Sequence, residues 1–335
     1  MTAIVNRYPQ HQRGLTLVEI MVALLISTIL GVGVVQIFSG SKRTYDFQQA
    51  QSRIQENGRY ILEAIARDLR MLDYNSCAGR TPQQNSTLNA TDDGQDGSGE
   101  EALIGYVYAD GDWDVTPNQN AGIGNPMDPS HALELERPAD GMVQTTDHQP
   151  SGASVVLFVN DPGSIQVCDI VQVTNCRTTT TTQITNIPAS GNQLQTQTSG
   201  CSPGNATQNL GDDFSNAQVM QLSRRTYYVD DADGDGYGQL MRVLDNGSTT
   251  DELVEGIHDL EFEYGVDSND DKQIESYEDP GTISDWSEVI AVRMMLTMVS
   301  RDDVLDEPHP LAANNDDLRL YHVFNRTVTL RNRMP

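Results

Sequence analysis

The sequence predicts an α+β fold, with one long N-terminal helix packed on an antiparallel, β-rich domain. Three observations predict it. From Leu15 to Phe38 the chain is mostly Leu, Ile, Val, Ala, Met and Gly, with Glu19 as its single charge. Beyond Ser39, apolar residues keep recurring at helical steps as far as Leu72, with no proline between Leu15 and Tyr74. From Ala153 onward the period shortens to two, in runs of β-branched and aromatic residues parted by Gly, Asn, Asp and Pro.

The first element is the apolar run. At ~1.5 Å per residue its roughly 24 residues cross a ~30 Å hydrocarbon core. Arg7 and Arg13 precede it, and Lys42 and Arg43 follow. An ordinary secretory signal has a shorter apolar core with a small-x-small cleavage site after it, and no such site lies ahead of Ser39-Gly40-Ser41. A lone carboxylate in the span costs at least ~2.5–3.5 kcal/mol, so Glu19 implies a partner. Gly31-Val32-Gly33 weakens the helix by ~1 kcal/mol per glycine. It suits either close packing against another helix or local unwinding on assembly. The helix then continues. Ile54, Gly58, Ile61, Leu62, Ile65, Leu69 and Leu72 form one apolar face, with Glu63 and Arg67 at i,i+4 on the other. The whole helix is expected to run from Leu15 to Tyr74, ~85–90 Å, and its outer half needs a surface to cover the stripe.

Residues 75–152 read mainly as loops, interrupted by extended pieces at Ala102–Tyr108 and His131–Arg137. The strands expected after them are Ser154–Val159, Ile165–Thr174, Thr178–Thr185, Gln218–Val229, Gly238–Leu244, Glu252–Tyr264, Val289–Val299 and Tyr321–Leu330. Ile290, Val292, Met294, Leu296 and Met298 alternate as on a half-buried strand. The threonine run Thr178–Thr182 suits a strand edge, and Ile187–Ser215 reads as one long loop holding Cys201.

Charge and cysteines bound the function. Residues 1–80 hold nine Lys/Arg and six Asp/Glu, whereas residues 81–335 hold twelve and forty-two. So acidic a domain repels phosphates, and no nucleic-acid partner is expected. Cys77, Cys168, Cys176 and Cys201 all lie beyond the span, an even count that suggests two disulfides in an exported domain. If the strand around them is continuous, Cys168 and Cys176 stand ~26 Å apart, which disfavours pairing them with each other. Either remaining connectivity is open on this ground.

Asp231-Ala232-Asp233-Gly234-Asp235-Gly236 opens like a calcium loop, with oxygens at steps one, three and five and then Gly, but Arg242 stands at the twelfth position. Asp267, Asn269 and Asp271 repeat the spacing, with Glu275 and Glu278 at the ninth and twelfth positions and Lys272 in the glycine position. The expected ligands of a structural Ca²⁺ are therefore Asp231, Asp233, Asp235, Asp267, Asn269, Asp271 and Glu278. No phosphate-binding loop, HExxH or nucleophile motif occurs, so no enzyme is expected.

Arg13-Gly14-Leu15-Thr16-Leu17-Val18-Glu19-Ile20 after a short basic leader resembles a type IV prepilin signal, with Leu15 where Phe is commonest. Asn57-Gly58-Arg59-Tyr60 and Ala66-Arg67-Asp68-Leu69-Arg70-Met71-Leu72-Asp73-Tyr74 resemble the helix end of PilW-type minor pilins. So do Arg225-Thr226-Tyr227-Tyr228-Val229, Glu261-Phe262-Glu263-Tyr264-Gly265-Val266-Asp267, and Trp286 followed by Val289-Ile290-Ala291-Val292-Arg293. The resemblance implies an α+β pilin fold, like that of the larger J-type pseudopilins. Its parts would be a leader at 1–14, a membrane-spanning half-helix at 15–38, an amphipathic half at 39–75 and a periplasmic globular domain at 76–335. It implies cleavage between Gly14 and Leu15 by a prepilin peptidase, methylation of the new Leu15 amine, and an assembly role for Glu19. It also implies pairing of Cys77 with Cys176, which leaves Cys168 to Cys201. The implied partners are other minor pilins, the major pilin and a PilY-type tip adhesin; the implied places are the inner membrane and then the pilus. The function expected is pilus assembly at the initiating or tip complex, serving adhesion and twitching motility. The alternatives are a J-type pseudopilin of type II secretion, or a membrane-anchored calcium-dependent adhesin or enzyme that uses the same export route.

Overall fold

The computed structural model describes residues 16–77, 82–89, 102–113, 123–151, 154–231, 234–244, 249–312 and 314–334. A single helix, α1 (Leu17–Met71), begins at an N-cap on Thr16 and runs 55 residues, about 82 Å at 1.5 Å per residue. It is helical through Gly31 and Gly33, where an added Cβ would meet nothing within 4 Å. It stops three residues short of the expected Tyr74, because Leu72 turns extended and Asp73 takes φ +53°. Leu15 lies outside the described residues.

The strands follow in order: β1 (Gln83–Ser86), β2 (Leu103–Ala109), β3 (Asp112–Trp113), β4 (Ser130–Pro138) and β5 (Val143–Ser151). Next come β6 (Ser154–Val159), β7 (Ile170–Thr174), β8 (Thr178–Gln183), β9 (Gln193–Gln197) and β10 (Gln218–Asp230). The last are β11 (Gly238–Leu244), β12 (Thr249–Val266), β13 (Ser276–Glu278), β14 (Val289–Asp303) and β15 (Arg319–Thr329).

Two layers make the principal lobe. Strands β2, β4, β10, β11, β12, β14 and β15 form an antiparallel sheet in that order. The apolar face of α1 lies on it. Ile54, Ile61, Ile65 and Leu69 share one core with Leu133, Leu135, Leu260, Phe262, Met294 and Leu296. The alternation of β14 is as expected, for Ile290, Val292, Met294, Leu296 and Met298 are all buried. Such burial, at about 1.5–3 kcal/mol per large side chain, holds the helix to the sheet.

A second lobe is inserted between β4 and β10. These two strands pair directly, Pro138 opposite Leu222, so everything between them leaves and rejoins the sheet at one end. The insert has its own core of Val155, Leu157, Val171, Val173, Leu194, Phe214 and Val219. β10 runs through both lobes: Gln218–Gln221 pair with β7, and Leu222 onward pairs with β4. One disulfide, Cys77–Cys176 (Cα–Cα 5.3 Å), fastens the chain beyond α1 to the β7–β8 turn. The other, Cys168–Cys201 (5.4 Å), lies within the insert.

Several expectations need correction. The strand expected from Ile165 starts at Ile170, with Cys168 in a turn at φ +75°, so the continuous-strand distance used above does not apply. The threonine run is not at an edge. β8 lies between β7 and the parallel β1, and its hydroxyls are spent inside. Thr180 donates to the Leu210 carbonyl, Thr179 to Thr174 Oγ1 and Thr182 to Asn205 Oδ1. The Ile187–Ser215 loop contains β9, and the region expected as loop before Ser151 contains β1, β3 and β5. Glu63 does not take Arg67. Its carboxylate meets Arg326 at 2.8 Å and Arg70 at 3.4 Å.

Candidate functional site

Three sites follow from the helix and the turns. At the start of α1, Gly14 and Leu15 lie outside the described residues, but Thr16 and Glu19 do not. The Glu19 N–H donates to Thr16 Oγ1 at 3.3 Å, while Glu19 Oε2 accepts from the Thr16 N–H at 2.9 Å and from its hydroxyl at 3.0 Å. This is a capping box, which satisfies helix N-terminal donors and sets a carboxylate against the positive helix end. The Thr-x-x-Glu spacing is visible in the sequence, and it gives Glu19 a partner inside its own chain where an outside one was expected. From Leu17 to Phe38 the large apolar side chains are exposed, so this half of the helix has no cover within the chain. It is long and apolar enough to cross a membrane.

The second site docks the helix. Asp68, seven residues after Ile61 and thus on the buried face, is 2% exposed. Its Oδ2 accepts from Tyr227 Oη at 2.6 Å and from Arg225 Nη1 at 2.8 Å. Arg137 Nε lies 3.0 Å from Oδ1, an ionic contact whose N–H is not aligned for a hydrogen bond. Burial and the Asp68 charge push the Tyr227 hydroxyl well above its ordinary pKa. One carboxylate thus joins α1 to β4 and β10. One turn of helix away from the Ile61–Ile65 step, Gly58 lets the Phe324 ring of β15 against the backbone; a Cβ there would stand 2.5 Å from Cε2. Gly58 is legible in the sequence as a member of the apolar face, and Asp68 betrays itself by its phase in the same stripe.

The third site is the pair of acidic turns. In the β10–β11 turn the Asp231 carboxylate accepts the N–H groups of Gly234 and Gly236 at 3.0 and 3.1 Å. Asp235 Oδ1 accepts the Tyr237 N–H. Asp233 lies outside the described residues. These carboxylates fold their own turn. The β12–β13 turn is better arranged for a cation: Asp267, Asp271 and Glu275 each offer an oxygen, all within 4.8 Å of one another. Glu275 replaces the expected Glu278, because the turn folds back so that Ser268 N–H and Asn269 Nδ2 donate to it at 3.0 and 2.8 Å. Glu278 instead accepts from Ser276 on β13. Asn269 Oδ1 accepts the Asp271 N–H. Lys272 holds the glycine position at φ +66°, so the backbone path of a calcium loop is kept without glycine. An all-oxygen set fits a hard divalent cation, and this cluster could hold one.

A helix that leaves an apolar half bare and lays its other half on an antiparallel sheet is the layout that the resemblance to type IV pilins implies. The profile of the prokaryotic N-terminal methylation motif matches residues 9–35. That of type IV pilus-assembly protein W matches residues 226–332, from β10 through β15. Together the two matches support a PilW-like type IV pilin with a minor-pilin role in pilus assembly. No curated protein and no solved structure matches it. The family matches point to a structural, non-enzymatic protein that works with other pilus components, and the motif and helix fit anchorage in the inner membrane.

Proposed function

We propose that the chain is cut between Gly14 and Leu15, stored in the inner membrane with residues 76–335 in the periplasm, and drawn into the initiating or tip complex of the pilus. In this reading 1–14 is leader, 15–38 the span and 39–75 the ectodomain half of the helix. The observation that carries it is the bare apolar half of α1 with its one carboxylate in the first turn. After cleavage the Leu15 amine and Glu19 lie only ~6 Å apart along the axis, so a neighbour's amine meets Glu19 with a small axial shift. Thr16 holds the carboxylate until then. Other minor pilins, the major pilin and a PilY-type adhesin are the partners, and adhesion and twitching the outputs. Ca²⁺ at Asp267, Asp271 and Glu275, with Asn269 beside them, would tie the β12–β13 turn. Nothing in this reading requires catalysis by the chain.

The test is Glu19→Ala. It should leave cleavage and folding intact but lower crosslinking to neighbouring minor pilins and incorporation into pili, compared at equal membrane levels. Equal crosslinking and piliation would remove Glu19 from assembly. N-terminal sequencing of the membrane form should begin at Leu15, and a start at Met1 would reject the processing step.

A further inference from the structure

The insert between β4 and β10 precedes the stretch that matches the pilus-assembly family, residues 226–332, and it carries a cleft of its own. It sits at the far end of α1 from the span. Pro138, where the insert leaves the sheet, follows Arg137, and Arg137 meets Asp68, ~45 Å along the axis beyond Phe38. The cleft holds about 710 Å³ between the β5–β6 hairpin and the β9–β10 connection, a volume usual for a small-molecule site. Asp147, His148 and Pro150 line one wall, and Asn209, Asp212 and Asp213 the other.

The second wall is set before anything binds. Asp212 is held by Arg177, Asn175 Nδ2 and Thr178 Oγ1, and Asp213 Oδ1 by the N–H and hydroxyl of Ser215. Asn209 Oδ1 accepts the Gly211 N–H at 3.0 Å. What these bonds leave over is of both kinds. Asn209 Nδ2 is a donor, and Asp213 Oδ2 an acceptor, without a partner among the described residues. His148 adds a second donor. Its side chain is 10% exposed, and its Nδ1 accepts the Phe214 N–H at 3.1 Å, with Asp213 Oδ1 farther off at 3.5 Å. The ring proton therefore sits on Nε2, which is buried and has no partner. A buried donor left so is a standing cost that a ligand oxygen removes.

This mixture selects the ligand. No Lys or Arg lines the cleft, and its carboxylates repel an anion. Nor do they converge on a metal ion: among the described residues only Asp267, Asp271 and Glu275 do so. An organic cation offers donors alone and leaves Asn209 Nδ2 and His148 Nε2 unpaired. A hydroxyl both donates and accepts, and Pro150 offers an apolar face beside them. We propose that the cleft binds a neutral saccharide, whose hydroxyls donate to Asp147 and Asp213 and accept from Asn209 Nδ2 and His148 Nε2. Nε2 is closed to solvent in the free chain, so the floor opens slightly as the sugar seats.

The test uses the full chain in micelles of a detergent with no sugar headgroup. Glucose, galactose, mannose and N-acetylglucosamine are each added at about 1–10 mM, enough to fill a weak site, and saturation-transfer NMR reads binding. At least one should receive saturation, and the Nε2 resonance of His148, alone among the six histidines, should move. Asn209→Ser keeps a turn oxygen for the Gly211 N–H and removes the amide donor. It should bind about tenfold more weakly at an unchanged melting temperature. Silence from all four sugars, a shift at another histidine or at none, or equal binding by Asn209→Ser overturns the proposal. So does tighter binding of glucosamine or N-acetylneuraminic acid, which would mean that charge and not hydroxyls is read. The first two readouts need only the wild-type chain and stand even if the variant misfolds. No pilus enters the assay, so the Glu19 result is decided separately.

Discussion

Asp68→Asn tests how the helix is held to the sheet. The substitution keeps the shape and removes the charge. Arg137 and Arg225, 5% and 15% exposed at their side chains, would then be left without their carboxylate, 3.0 and 2.8 Å away. Breaking one partner of a buried ionic set costs about 3–5 kcal/mol, because the remaining charge stays out of water uncompensated. Against a domain stability of about 5–15 kcal/mol that is a large share. Urea unfolding of the full chain in detergent, followed by the fluorescence of Trp286, which packs edge-on against the buried Tyr264 at 4.8 Å, reads the change. The midpoint should fall at constant slope. Replacing the whole set, Asp68→Leu/Arg137→Met/Arg225→Met, should recover most of the loss, since apolar groups of similar volume need no compensation. A loss below about 1 kcal/mol for Asp68→Asn, or a triple variant weaker than the single one, would refute the clamp.

Burial, with the charge of Glu261, pushes the Asp259 carboxyl up to about 6 from 3.8. The folded chain then keeps a proton the unfolded chain has released, so this group removes stability as pH rises from about 4 to about 6, by about 3 kcal/mol in all. Asp259→Asn should be the more stable form by about 2–3 kcal/mol at neutral pH and equal to wild type near pH 4; parallel pH curves would reject this. Asp317 acts in the opposite sense, its carboxyl held low mainly by Arg319, so only the difference between the two proteins isolates Asp259. Gly58→Ala should destabilise by about 1–3 kcal/mol although alanine is the better helix former, and Phe324→Leu should relieve it; a stabilised Gly58→Ala means the ring does not sit there. Millimolar Ca²⁺ should raise the melting temperature beyond matched ionic strength, more so in Lys272→Gly, which removes the cation bound to Asp270, and not in Asp267→Asn.

Much of the candidate site was legible because it depends on local spacing. Glu19 as the sole charge of an apolar span, and the acidic steps at Asp267, Asn269 and Asp271, are visible in the chain as written. The capping box was equally local and needed only the Thr16–Glu19 spacing. Glu275 was not separable from Glu278, since the choice depends on how the turn folds back through Ser268 and Asn269. The strands that were missed share a cause. β5 reads Val-Gln-Thr-Thr-Asp-His-Gln-Pro-Ser and β9 reads Gln-Leu-Gln-Thr-Gln, so hydrophobic alternation hardly registers in either. Their place comes from pairing with β6, not from their own composition.

By itself, then, the sequence determined one long helix following the apolar run (though not its end at Met71), its two unlike halves, and the strands with strong alternation such as β6, β11 and β14. These follow from periodicity, which each segment carries alone. Only the tertiary structure decided that the stretch between Pro138 and Leu222 is an inserted lobe with its own core. It alone decided that β8 is interior and that Asp68 reaches Arg137, Arg225 and Tyr227. Those facts are contacts between residues far apart in the chain. A threonine or an aspartate reads as solvent-facing until the partner that satisfies its hydrogen bonds or its charge is brought to it by the fold.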